Sequence, residues 1–365
     1  MVKAPPLKQI RARAYEIPTD APEADGTLEW DRTTLVLVEI AAGGETGLGY
    51  TYADASVVLL IERKLWAVIA GRSAFDLPDL TAALWRSVRN LGRSGLAATA
   101  ISAVDAALWD LKAKLLGLSV ASLLGCCRDR VPIYGSGGFT SYSDDRVRHQ
   151  LAGWVEEDGC RWVKMKIGSD PDRDPSRVET ARRAIGNRGL FVDANGAFTT
   201  KQALGLAERI GELGVTWFEE PVSSDDLAGL SLMRARAPHG MDVAAGEYGY
   251  TPDDFCRLIA EPSVDVLQAD ATRCGGVSGF LAVSALCSAN HIDLSGHCAP
   301  ALHLPVACAV PRLRHLEWFH DHVRIERMLF DGAPIARDGV IAPDLARPGL
   351  GLAFKERDAE RFQVC

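Results

Sequence analysis

The chain has 365 residues, 47% hydrophobic and 24% charged, which suits one large globular domain plus a smaller one. Its formal net charge of −8 argues against nucleic acid and against an anionic membrane surface as partners. Nine scattered cysteines without CxxC spacing, and a start "MVKAPPLKQIRARAYEIP" with no apolar core segment, point to a reduced, cytoplasmic protein without a secretory signal.

Residues 1–128 read as an α+β unit. "TTLVLVEI" (33–40) predicts a strand, "AAGGETGLGYTY" (41–52) a glycine turn and a second strand, and residues 96–117 a helix. The glycines at 43–49 fit neither GxGxxG nor GxxxxGK[ST], so they read as a hairpin turn and not a phosphate loop. The stretch before them, "PTDAPEADGTLEWDRTT" (18–34), reads as a polar lid in which Asp20, Glu23, Asp25, Glu29 and Arg32 are candidates to bind hydroxyl groups. The apolar run at 96–109 is too short to span a bilayer.

A rhythm starts at residue 131. Eight short apolar runs recur: "VPIYG" (131–135), "RWVKMKI" (161–167), "GLFVD" (189–193), "VTWFE" (215–219), "MDVAAGE" (241–247), "VDVLQAD" (264–270), "HIDLSGH" (291–297) and "RHLEWF" (314–319). Helical stretches separate them, which predicts a parallel (β/α)-barrel over 129–330. Residues 331–365 are punctuated by Pro and Gly and are expected to pack back onto another part of the molecule.

Barrels of this kind carry chemistry at the C-terminal ends of their strands. The successive strand ends here supply Lys164 and Lys166, Asp193, Glu219, Glu247, Asp270 and His297, and the last strand carries Glu317. Asp193, Glu219 and Glu247 form an all-oxygen set that suits Mg²⁺, since three carboxylates would otherwise repel one another in a half-buried site. Lys164 and Lys166 share a face of their strand, so each is expected to lower the other's pKa, with Lys166 the general base. The alternative is that both lysines only neutralise the carboxylates. Asp270 on the strand next to His297 can fix its tautomer and raise its basicity. "WFHDHVRIE" (318–326) places an HxH after the last strand, where a metal-dependent hydrolase barrel would not have it. A non-enzymatic scaffold predicts decay of the strand-end set, and no member is missing.

Together "KMK" (164–166), "DANGAF" from Asp193, "FEEP" from Glu219, "GE" at 246–247, Asp270, "SGH" ending at His297 and Glu317 resemble the enolase superfamily and its mandelate racemase subgroup. The helix at 100–117 and the tail "GVIAPDLARPGLGL" also look like that family's, so the resemblance covers nearly the whole chain. It implies a (β/α)7β barrel under a cap built from the N-terminal region and the C-terminal tail. It implies Mg²⁺ on Asp193, Glu219 and Glu247, and abstraction of the proton α to a carboxylate. Lys166 would serve one face of the α-carbon and the His297–Asp270 dyad the other. Glu317 would hydrogen-bond the carboxylate, protonated or not; Lys164 could also touch it, and Asn195 and Ser136 are candidate substrate contacts. The resemblance further implies a small-molecule carboxylate substrate and a homo-oligomer, from dimer to octamer. Dehydration of an acid sugar to a 2-keto-3-deoxy acid ranks first, with racemisation or epimerisation of a 2-hydroxy acid as the alternative.

Overall fold

Residues 4–365 are described by the computed structural model. Three antiparallel strands come first: β1 (Gln9–Ala24), β2 (Glu29–Ala42) and β3 (Glu45–Tyr52), in the order β1-β2-β3. The run at 33–40 lies inside β2, and Gly43 and Gly44 turn the chain into β3. β1 is not expected from the sequence, because arginines interrupt its apolar pattern. It pairs with β2 from Gln9↔Ala41 to Pro18↔Arg32, slips, and resumes at Glu23↔Trp30. The segment read as a loose lid is therefore the outer end of a β-hairpin. Pro18 and Pro22 have no N–H to give the ladder, which suits the break at that point.

β3 lies on the helix Leu96–Leu115. A Cβ at Gly47 would sit 2.2 Å from the Ala107 carbonyl oxygen, and one at Gly49 the same distance from that of Ala103. Gly43 and Gly44 thus make the turn, whereas Gly47 and Gly49 within β3 allow close packing of strand on helix. The helix is buried nearly all round, and its two buried aspartates tie the molecule together. Asp110 accepts N–H bonds from Leu48 at 2.7 Å and from Leu350 at 2.6 Å. Asp105 accepts from Ser278 N at 2.9 Å and from Thr81 Oγ1 at 3.0 Å, joining cap to barrel.

Eight parallel strands close the barrel: β4 (Val131–Gly137), β5 (Trp162–Lys166), β6 (Gly189–Asp193), β7 (Val215–Glu219), β8 (Asp242–Ala245), β9 (Val266–Ala269), β10 (Asp293–Gly296) and β11 (Leu313–Phe319). β11 pairs back onto β4, so no parallel edge is left open. Tyr134, Phe191, Trp217 and Trp162 pack together inside, with His315 edge-on to Tyr134 at 4.7 Å. This aromatic layer plugs the barrel beneath the strand ends.

The C-terminal segment returns to the cap. β12 (Phe330–Asp331) pairs with β14 (Ala353–Phe354), and β13 (Val340–Ile341) lies antiparallel on β4. The Cys365 carbonyl accepts the Ala14 N–H of β1 at 2.8 Å. Among the described residues no helix is long and apolar enough to cross a membrane.

Candidate active site

Strand alternation places Lys164 and Lys166 on the inner side of β5, Asp193 and Glu219 at the last positions of β6 and β7, and Glu317 inside β11. Glu247 stands two residues past β8, Asp270 one past β9 and His297 one past β10. All eight side chains are buried and gather at one end of the barrel.

One ligand oxygen from each of Asp193, Glu219 and Glu247 can be chosen so that all lie within 4.8 Å of one another. Trp217 Nε1 donates to Glu219 Oε2 at 2.9 Å and orients that carboxylate from below. Glu247 Oε2 is buried without a hydrogen-bond partner. So is Glu220 Oε1, from the second acid of "FEEP", which the sequence reading passed over. Burial, then the charges of Glu247 and Asp193, push the Glu220 carboxyl well above its usual range. Hard oxygen donors converging with an orphaned buried oxygen fit a divalent cation such as Mg²⁺.

The lysines depart from expectation. Lys164 pairs with Glu219, with Glu317 at 2.8 Å and with Asp193 at 3.1 Å. Lys166 Nζ lies 2.6 Å from Asp193 Oδ2 and 2.9 Å from Asn195 Oδ1. Burial pushes both ammonium groups down, but Glu219 and Glu317 around Lys164, and Asp193 beside Lys166, outweigh it and hold both above the usual lysine range. Lys164 does depress Lys166, but less than Asp193 raises it. A strand seen alone shows two cations, whereas the closed barrel adds the carboxylates of its neighbours.

His297 Nδ1 lies 2.9 Å from Asp270 Oδ2. The other Asp270 oxygen accepts from Thr272 N and Oγ1, each at 2.7 Å. That leaves His297 Nε2 facing the cavity, 3.4 Å from Glu247 Oε2 and 3.7 Å from Glu317 Oε2. His303, buried behind, accepts the Ala271 N–H at 2.7 Å and fixes the loop that carries Asp270.

Glu317 serves here as a hydrogen-bond acceptor. Burial pushes its carboxyl up, but Lys164 and His297 outweigh that and hold it well below its usual range. Ser136 Oγ donates to it at 2.5 Å and Cys298 N at 3.0 Å. Ser136 is fully buried, does not line the cavity, and is bonded to Glu317, which it positions. Asn195 does line the cavity.

The cavity over these groups has a volume of about 340 Å³. Its walls mix polar and aromatic groups: Asp25, Trp30, Arg32 and Thr33 come from the hairpin, Tyr52 from β3, and Arg273, Phe319 and His322 from the barrel. A larger groove of about 700 Å³ runs under the C-terminal segment and contains none of the strand-end groups. Arg273 lies 3.6 Å from Asp270 and 3.7 Å from Glu247, a placement that no local motif announces. The two histidines of "HDH" separate: His322 enters the cavity wall, whereas His320 Nε2 meets Asp20 of the hairpin at 3.0 Å.

Residues 146–359 match the family description "Enolase C-terminal domain-like", and residues 15–125 match "Mandelate racemase / muconate lactonizing enzyme, N-terminal domain". The D-galactarolactone cycloisomerase of Agrobacterium fabrum is 31% identical over 296 residues, spanning 80% of this chain and 78% of its own. The L-talarate/galactarate dehydratase of Salmonella typhimurium is 31% identical over 334 residues, 88% of this chain and 81% of its own. Among solved structures, a mandelate racemase/muconate lactonizing enzyme-like protein from Rubrobacter xylanophilus superposes with a TM-score of 0.96 at 50% identity, covering 99% of this chain and 100% of its own. A racemase from Streptomyces coelicolor, solved with bound magnesium, gives a TM-score of 0.92 at 29% identity over 98% of this chain and 100% of its own. On its closed barrel, its cap and these matches, the chain belongs to the mandelate racemase and muconate lactonizing enzyme family of the enolase superfamily.

Proposed function

We propose that the protein removes the proton α to the carboxylate of an acid sugar and expels the β-hydroxyl, yielding a 2-keto-3-deoxy acid. One observation carries this reading. Lys166 and His297 stand on β5 and just past β10, across the barrel mouth, with the Asp193, Glu219 and Glu247 oxygens on the arc between them. A carboxylate held on that arc presents its α-carbon to both nitrogens.

Asp193, Glu219 and Glu247 would hold Mg²⁺; the similar racemase from Streptomyces coelicolor is solved with bound magnesium. The cation supplies positive charge that lowers the cost of negative charge building up on the substrate carboxylate. Lys164 adds a fixed cation to the same place. His297, or Lys166 once its Asp193 ion pair gives way and it loses its proton, takes the α-proton as general base, by face. With His297 protonated, its Nε2 can give a proton to the departing β-hydroxyl, which leaves as water. Asp270 on Nδ1 stabilises that imidazolium. The enol that remains takes up a proton at the β-carbon and becomes the ketone.

The polar groups of the wall support a polyhydroxylated substrate. The dehydratase and cycloisomerase relatives act on sugar-derived acids by their names. Bases on both faces equally serve inversion at the α-carbon, so racemisation is the second reading.

Proton NMR in D₂O with Mg²⁺, on pooled aldonates, aldarates and simple 2-hydroxy acids, tests the proposal. A deuterated 2-keto-3-deoxy product establishes dehydration. Loss of the α-proton signal with inverted configuration and no keto product shifts the assignment to a racemase. Silence across pools to which Mg²⁺-loaded protein binds overturns both.

A further inference from the structure

His322 has no part in the chemistry proposed above, yet it is built into the cavity wall. Its ring lies parallel to that of Tyr52, with centroids 3.5 Å apart and planes 13° apart. Phe319 meets it edge-on at 5.1 Å. The ring is therefore fixed on two sides, one from the cap and one from the barrel.

Its tautomer is fixed as well. Nδ1 accepts the Ala299 N–H at 3.2 Å, so in the neutral ring the proton sits on Nε2. Burial pushes the imidazole down to about 3, with Asp270 and Glu317 opposing and His297 and Arg273 reinforcing the shift. Among the described residues nothing bonds to Nε2. The Tyr52 hydroxyl, on the same wall, is buried without a hydrogen-bond partner. Buried polar groups without partners are rare and costly, and a ligand oxygen supplies the missing bond. Two neutral groups suit a hydroxyl, while the charged groups of the wall, Arg32 and Arg273, suit a carboxylate.

We propose that His322 reads the substrate: its Nε2–H, with the Tyr52 hydroxyl beside it, hydrogen-bonds a hydroxyl on the carbon chain of a polyhydroxy carboxylate. This deepens the acid-sugar reading and rests on it for the orientation of the substrate. The pair joins cap to barrel, so recognition of that hydroxyl requires the cap to be seated.

His322 also holds Ala299, which follows Cys298 in a left-handed pair of residues at φ 39 and 52 beside His297. A test must separate this support from recognition. His322→Asn keeps an amide oxygen for the Ala299 N–H and removes the far ring nitrogen. Tyr52→Phe removes one oxygen only. Full-length, Mg²⁺-loaded protein and both variants are titrated calorimetrically with tartronate, which has a single hydroxyl, and with galactarate, D-glucarate and D-gluconate. The expected result is that at least one sugar acid binds more tightly than tartronate, that its Kd rises about tenfold in each variant, and that the tartronate Kd does not move. Equal weakening of tartronate and sugar acid, no change in either, or no sugar acid that outbinds tartronate overturns the proposal. α-Proton exchange in the wild type is read separately. Differential binding without exchange sinks the enzymatic reading and leaves the subsite standing. Exchange without differential binding does the reverse.

Discussion

Lys166 Nζ lies 2.6 Å from Asp193 Oδ2, so the base proposed for one face of the substrate and a ligand proposed for the cation share one ion pair. Binding of Mg²⁺ and the state of the base are thereby coupled. Calorimetry should show Mg²⁺ affinity falling more than tenfold in Asp193→Asn and in Glu247→Gln. The wild-type melting temperature should climb with Mg²⁺ in a saturable way, and EDTA should reverse it. A melting temperature indifferent to millimolar Mg²⁺ would remove the cation from the site.

Lys166 and His297 face the α-carbon from opposite sides in the proposed reaction. Lys166→Ala and His297→Asn should each abolish deuterium wash-in from one configuration of a 2-hydroxy acid and spare the other. The loss on the affected face should be about 10²- to 10⁴-fold. Equal loss on both faces in both variants would mean that one residue does all the proton transfer.

Asp270 holds His297 through Nδ1 at 2.9 Å. Asp270→Asn should lower kcat by about 10- to 100-fold while the Mg²⁺ Kd stays within a factor of about two. A comparable collapse of Mg²⁺ binding would show that Asp270 belongs to the metal site.

Glu23, in the hairpin, is buried; its Oε2 accepts from Trp30 Nε1 at 2.9 Å and its Oε1 has no partner. Burial, and then Asp321, raise its carboxyl from an ordinary 4.5 to about 8. Between those values the unfolded chain releases the proton first, so the folded state loses stability as pH rises through the window. Glu23→Gln keeps an acceptor for Trp30 and removes the titration. Denaturant unfolding should show the variant gaining about 1–2 kcal/mol on wild type between about pH 5 and pH 9. Parallel pH profiles for the two proteins would refute the assignment.

Gly47 touches the helix backbone, with no room for a Cβ. Gly47→Ala should cost about 1–3 kcal/mol in chemical denaturation, by prying β3 from the helix. A loss below about 0.5 kcal/mol would mean that the hairpin shifts freely.

The eight barrel strands were legible because each is a short apolar run between helical stretches, a pattern set by local burial on both faces of a parallel sheet. β1 was not. Arg13 sits mid-strand and is nonetheless buried, paired through its Nη2 with Glu39 on β2 at 2.6 Å and with Glu356 from the tail at 3.1 Å. Such a residue reads as exposed until its partners, 26 and 343 positions away, are known. Ser136 was legible as an inward-facing residue but not as one that stops short of the cavity, because depth along a barrel axis depends on the register of neighbouring strands.

By itself the sequence determined which ionisable groups reach the barrel mouth. Alternation along each strand and the strand's end are local properties, so Lys164, Lys166, Asp193, Glu219, Glu247, Asp270, His297 and Glu317 could all be read from it. Only the tertiary structure decided their electrostatic state and their surroundings. The charge felt by Lys166, the lowered carboxyl of Glu317, and the meeting of Tyr52 with His322 arise from groups far apart in the chain. Coulomb and hydrogen-bond energies depend on distance in space, and the closed barrel and its cap alone set those distances.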